Sequence, residues 1–81
     1  MKEELLNKIV KILNDKKAID VKTIDIKEKS SLADYMIIAS GTSRTHIRAL
    51  ADNVEEELKK EDKRQEIWQI YYQKGIITFT V

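Results

Sequence analysis

The sequence contains no cysteine, no proline, one histidine and two glycines. Without cysteine there is neither a disulfide framework nor a thiolate zinc site. His46 alone does not build a histidine metal site. There is no G-x-x-x-x-G-K-[ST] and no G-x-G-x-x-G, so nucleotide hydrolysis and dinucleotide chemistry lack their usual parts. No apolar run exceeds the five residues 35–39, far below the roughly 20 that a membrane helix needs. Lys2, Glu3, Glu4 and Lys8 interrupt any secretory apolar segment at the start, so the expectation is a soluble cytoplasmic domain with no membrane partner. Nor does one charge sign dominate. Charged residues make up 36% of the chain, but 15 basic and 14 acidic side chains leave only +1. That balance argues against tight non-specific nucleic-acid binding, which rests on neutralising several phosphates.

Eighty-one residues allow one small domain, and chains of this size bury only about 60% of their unfolded surface. Over residues 2–17, Leu5, Leu6, Ile9, Val10, Ile12 and Leu13 recur at helical spacing, with charged residues mainly on the other side. Glu3 and Glu4 in the first turn and Lys16 and Lys17 in the last suit the helix dipole. Such mixed charge fits a helix packed on its own sheet better than one lying on a membrane. Residues 19–26 read as a strand. Ile19, Val21 and Thr23 share one parity while Ile24 and Ile26 take the other, so the strand either carries a bulge or is buried on both sides. KEKSS, residues 27–31, is a polar connection, and without a glycine to open an anion nest it reads as a solvated turn.

Residues 29–53, KSSLADYMIIASGTSRTHIRALADN, organise the rest. Tyr35, Met36, Ile37, Ile38 and Ala39 form a short apolar run between Asp34 and Ser40, the pattern of a strand buried on both faces. Gly41 supplies the unusual dihedrals of a strand-to-helix turn, and Thr42 or Ser43 caps the helix that follows. Ile47, Leu50, Ala51, Val54 and Leu58 fall on one face of that helix, which runs from about 43 to 60. Glu55, Glu56 and Glu57 stand before Lys59 and Lys60 at helical spacings, a support of about 0.2–0.5 kcal/mol per pair. EDKRQE, residues 61–66, reads as a connection. Trp68, Ile70 and Tyr72 then alternate against Gln69, Tyr71 and Gln73. Lys74-Gly75 makes a turn, and Ile77, Phe79 and Val81 alternate against Ile76, Thr78 and Thr80, so a hairpin closes the chain. The order is α-β-β-α-β-β, an α/β (α+β) domain with a small sheet and helices against it.

Catalytic parts are scarce. Ser43 and His46 lie three apart at the helix start, where a serine is normally occupied in capping; the pair reads mainly as capping and packing, with surface recognition second and catalysis a distant third. Asp20 and Asp25, five apart on a strand, point to opposite faces, and Asp34 starts the next strand. None makes the close acidic pair that would hold a catalytic divalent metal, and no metal or cofactor is expected. A binding module is better supplied. Lys22, Lys27, Lys29, Arg44 and Arg48 flank the central unit, and Trp68, Tyr71, Tyr72 and Phe79 crowd the hairpin; aromatics and arginine are the usual anchors of protein interfaces. The aromatics also suit stacking on single-stranded RNA bases, but the near-neutral charge weakens that reading, and one face of the hairpin must be core.

K-S-S-x-x-D-Y, the apolar strand, G-T-S-x-x-H and A-D-N-V together resemble the ribosomal silencing factor, or Iojap-like, family. The resemblance covers residues 1–60, roughly the first three quarters of the chain, and is weaker upstream of the signature, through AIDVKTIDI. It implies a small α/β fold with a mixed sheet, related to nucleotidyltransferases but without their catalytic carboxylates. It implies a non-enzymatic role: binding the large ribosomal subunit on its protein fourteen at the intersubunit face, blocking joining to the small subunit, and so repressing translation under starvation. Organelle relatives act in ribosome assembly. Carried onto this chain, it marks Lys29, Tyr35, Arg44, His46 and Trp68 as partner contacts, with Trp68 an exposed anchor, and Asp34, Gly41, Thr42 and Ser43 as turn and cap residues. Beyond Lys60 the chain diverges. The interval before Trp68 is shorter than the family's, WQIYYQKGIITF stands where W-x-x-x-D-x-G-D-V-V-V-H is usual, and the family's C-terminal helix has no counterpart. The surface that helix would cover is a candidate for homodimer formation. A small RNA-binding or ribosome-assembly protein is the alternative reading, with direct RNA contact secondary to protein contact in the first. A degenerate nucleotidyltransferase-like enzyme comes third.

Overall fold

The computed structural model describes residues 2–61 and 68–81. Helix α1 (Lys2–Asp15) is followed by strands β1 (Ile19–Asp25) and β2 (Tyr35–Ser40), helix α2 (Arg44–Lys60), and strands β3 (Gln69–Gln73) and β4 (Ile76–Thr80). The element order is the expected one. The connection expected over 61–66 lies outside the described residues from 62 onward.

Helix α1 stops two residues earlier than its lysines suggest. Lys17 takes a left-handed conformation, φ 64°. Its N–H donates to the Asn14 carbonyl at 3.0 Å, and the Ala18 N–H donates to the Leu13 carbonyl at 2.9 Å. These two bonds close the helix end in a Schellman arrangement. Lys16 and Lys17 therefore form the exit turn rather than the last helical turn. At the other boundary Ser43 is the N-cap of α2, its hydroxyl accepting from the His46 N–H at 3.1 Å.

Strand β1 carries a bulge, but upstream of the parity switch at Thr23 and Ile24, where the register is regular and Ile24 simply faces the open side. Ile19 pairs with Ser40 and Lys22 with Ile38, so three residue steps on β1 face two on β2. The extra residue is accommodated at Asp20, which sits at φ 52°, a conformation that aspartate tolerates better than most residues.

The strands lie in the order β1-β2-β4-β3, and every pairing is antiparallel. This corrects the mixed sheet that the resemblance implied. After α2 the chain lays β3 parallel to β2 but one place beyond it, and β4 turns back into the gap between them. No two parallel strands are therefore adjacent.

Both helices pack on one face of this sheet. Ile37 and Ala39 of β2, Ile77 and Phe79 of β4, and Val81 meet Leu5, Ile9 and Leu13 of α1 and Ile47, Leu50, Ala51, Val54 and Leu58 of α2 in one core. Burying side chains of this kind stabilises by roughly 1.5–3 kcal/mol each. Lys8 of α1 also pairs with Glu61, the C-cap of α2. The opposite face has no such cover. Met36, Ile38 and Ser40 are only half-buried, and Ile24 and Tyr71 are exposed. The expectation that β2 is buried on both faces is thus half right, because both helices lie on the same side.

Candidate functional site

The loop joining β1 to β2 carries most of the polar signature, and local hydrogen bonds determine its shape. The Ile26 carbonyl accepts from both Lys29 N–H and Ser30 N–H at 2.9 Å, while the Ile26 N–H donates to the Asp34 carbonyl at 2.8 Å. Ser30 Oγ accepts from the Leu32 N–H at 3.1 Å, so the Ser-Ser pair builds a turn. At its base the loop is bound to the last residue of the chain. Asp34 and Tyr35 N–H groups both donate to the Val81 carbonyl, at 2.7 and 3.1 Å, and the Val81 N–H returns a bond to Tyr35 at 3.0 Å. A loop closed in this way leaves Leu32 pointing outward, 92% exposed.

Between this loop and the open sheet face runs a groove of about 780 Å³, with Lys29, Leu32, Met36, Trp68, Tyr71 and Thr80 among its lining residues. Trp68 is its floor rather than an exposed anchor: only 3% of the residue is accessible. Placed just before β3, its ring joins the core behind β4. Its Nε1–H is buried and has no hydrogen-bond acceptor among the described residues. The groove therefore combines a projecting leucine, a lysine and a buried indole.

Tyr35 lies at the base of the loop, half-buried. Its hydroxyl accepts from Lys27 Nζ at 3.1 Å, and the same ammonium sits 4.9 Å from the ring centroid. Asp25 Oδ2 is 3.7 Å from Lys27 Nζ. The Tyr35 hydroxyl first, and the Asp25 carboxylate second, hold the Lys27 ammonium above its ordinary pKa.

His46 belongs to the architecture. Its Nδ1 accepts from the Thr42 N–H at 2.9 Å, with the Thr42 hydroxyl 3.3 Å away, and its Nε2 lies 2.9 Å from the Lys16 carbonyl. Only the neutral ring with its proton on Nε2 satisfies both backbone bonds. Both nitrogens are thus engaged inside the fold, as the capping and packing reading expects. Gly41 is required by crowding, not by its dihedrals: a Cβ there would lie 2.9 Å from Ile47 Cγ1 and 3.0 Å from His46 Nδ1.

Arg44 lies elsewhere. With Arg48, Tyr72, Gln73 and Lys74 it lines a second groove of about 350 Å³, between the start of α2 and the β3–β4 turn. The five expected contacts therefore do not converge. Lys29 and Trp68 share the first groove, Tyr35 adjoins it through the loop base, Arg44 faces the second, and His46 joins two helices. Leu32 is the addition that the structure makes; its only trace in the sequence is a large apolar residue inside a polar loop. Among the described residues no cluster of three or more His, Cys, Asp or Glu could hold a metal ion, and no helix is long and apolar enough to cross a membrane.

Comparison with known proteins gives matches that agree with one another. The family model described as ribosomal silencing factor during starvation matches residues 1–70. A Zymomonas mobilis protein named ribosomal silencing factor RsfS is 40% identical over 57 residues, covering 70% of this chain and 43% of that protein. A Haemophilus influenzae protein of the same name is 39% identical over 56 residues, covering 69% of this chain and 55% of that one. The chain thus spans about half the length of these curated relatives. An X-ray structure of a Chromobacterium violaceum protein is similar with a TM-score of 0.70 at 28% identity, over 84% of this chain and 63% of that one.

Proposed function

The chain belongs to the ribosomal silencing factor family, and from that premise we propose that it binds the large ribosomal subunit at its intersubunit face, on protein fourteen. Occupying that face blocks joining to the small subunit, so translation in the cytoplasm falls when nutrients are short. The action is steric and makes or breaks no bond.

The observation that carries this reading is the family match through the signature loop. The geometry supports a protein partner at the first groove. Leu32 offers apolar area at the rim and Lys29 offers charge beside it, over the buried Trp68. Buried aromatic groups ringed by less critical contacts are the usual pattern of interface hot spots.

Co-sedimentation with separated ribosomal subunits, followed by a subunit-joining assay, tests the proposal. Selective binding to the large subunit with loss of joining is the expected result. Leu32→Ser and Lys29→Ala, both at exposed positions, should weaken binding while leaving thermal stability within about 0.5 kcal/mol of the parent. A folded protein that does not bind the large subunit, or that binds both subunits alike, sinks it.

A further inference from the structure

The second groove has no part in that protein contact, and its composition differs. Arg44 and Arg48 stand one helical turn apart on α2, and Lys74 approaches from the β3–β4 turn. Among the described residues these three cations have no carboxylate partner, whereas Lys8, Lys11, Lys27 and Lys60 each do. Tyr72 lies between them, 51% exposed, at the edge of the sheet. In a chain whose net charge is only +1, three unpaired cations around one half-exposed ring form a local concentration of positive charge that the totals conceal. Asp52 is the nearest acidic residue along α2, one turn beyond Arg48, and it does not line the groove.

We infer that this groove binds single-stranded RNA, with a base stacked on Tyr72 and neighbouring phosphates held by Arg44, Arg48 and Lys74. The guanidinium forks fit phosphate and carboxylate oxygens alike, so what favours RNA over an acidic peptide is the ring between them. A half-exposed tyrosine ring offers a stacking platform that a carboxylate chain does not use. Bases become available for such stacking only where a strand is unpaired, in loops, bulges and ends. The two grooves lie toward opposite ends of the β3–β4 hairpin: the first is lined by Gln69 and Thr80, the second by Gln73 and Gly75. One molecule therefore has room for a protein contact at one end and an RNA strand at the other. The biological setting of this contact rests on the ribosome-binding reading; the contact itself is a property of the isolated protein.

Fluorescence anisotropy with a labelled octauridine, at potassium chloride from about 20 to 300 mM, tests the inference without ribosomes. Three phosphate contacts give a log–log salt slope of about −2. Arg44→Ala with Arg48→Ala should reduce that slope to about −0.7. Lys74→Ala, in an exposed turn remote from the core, should reduce it by a single step. Tyr72→Ala should weaken binding about 5- to 100-fold with the slope unchanged, and Lys8→Ala with Lys11→Ala should change neither. Circular dichroism establishes that each variant is folded. No binding of octauridine at 20 mM salt overturns the inference, as does binding that the arginine, Lys74 and Tyr72 variants leave intact. So does equal affinity for a blunt RNA duplex or for polyglutamate. Because subunit co-sedimentation is scored separately, either reading can fail while the other stands.

Discussion

His46 Nε2 donates to the carbonyl of Lys16 across 2.9 Å, joining residues thirty positions apart. The same ring accepts from the Thr42 N–H, so one side chain serves the end of α1 and the turn before α2. Ser43, meanwhile, caps α2. Helix ends leave such backbone groups without intrahelical partners, and here two of them meet on a single imidazole.

His46→Ala removes both bonds. At about 1 kcal/mol for each, the domain should lose about 2 kcal/mol, and the midpoint of thermal unfolding should fall by roughly 8–16 °C. An unchanged midpoint would show that the imidazole contributes nothing to the junction.

The two glycines are needed for different reasons, and two pairs of substitutions separate them. At Gly41 the obstacle is Ile47 and the His46 ring, so alanine and asparagine should both destabilise, alanine by about 1–3 kcal/mol as in an overpacked site. Gly75 has φ 71° and open space around its would-be Cβ. Alanine there should cost about 1 kcal/mol, and asparagine less, since it enters the left-handed region more readily. Urea denaturation reads all four. Equal responses at the two positions would contradict the distinction.

Lys17 has the conformation that glycine usually supplies at a helix exit. A side chain there costs roughly 1–2 kcal/mol, and glycine's greater freedom in the unfolded chain returns roughly 0.5–1 of it. Lys17→Gly should therefore raise stability by about 0.5–1 kcal/mol, visible as a higher urea midpoint at constant m-value. A lower midpoint would mean that the lysine makes a contact worth more than the strain.

Lys27 gives a pH signature. Its pKa is raised in the folded protein, first by the Tyr35 hydroxyl and then by Asp25. A raised lysine contributes stability that is fully present below its ordinary value, near 10.5, and is lost as pH climbs through the folded value. Titration followed at the Lys27 ε-carbon should show it deprotonating above the ordinary lysine value. Tyr35→Phe should bring it back toward that value. Titration of Lys27 at the ordinary value in the parent protein would remove the proposed coupling.

Periodicity made the inner half of the fold legible. Ile37, Ala39, Ile77 and Phe79 alternate, and Ile47, Leu50, Val54 and Leu58 follow helical spacing, because burial on one face imposes a period on the residues that form it. A bulge in β1 was one of two readings of its parity, but its place at Asp20 was not legible, because the apolar residues change parity only at Ile24. Other features leave no such trace. That Met36 and Ile38 face an open side depends on where the helices pack, and an apolar run reads alike whether its second face is covered or not. Trp68 carries the size and polarity of an interface anchor, yet its neighbours in space place it in the core. The second groove joins α2 to a turn some thirty residues later, and no local pattern links Arg44 to Lys74.

The position of β4 bears on how the chain folds as it is made. The strand that lies between β2 and β3 is the last to be synthesised, and Val81 closes the loop that begins at Ile26. While the polypeptide emerges, β2 waits with one edge bare and half the core missing. Such long-range closure is slow compared with helix formation, and an incomplete sheet with an open edge is prone to non-native pairing. A nascent chain stopped before residue 76 lacks Ile77 and Phe79 and has no central strand with which to finish the sheet. Completion of this sheet therefore waits on β4 rather than proceeding strand by strand from the N-terminus.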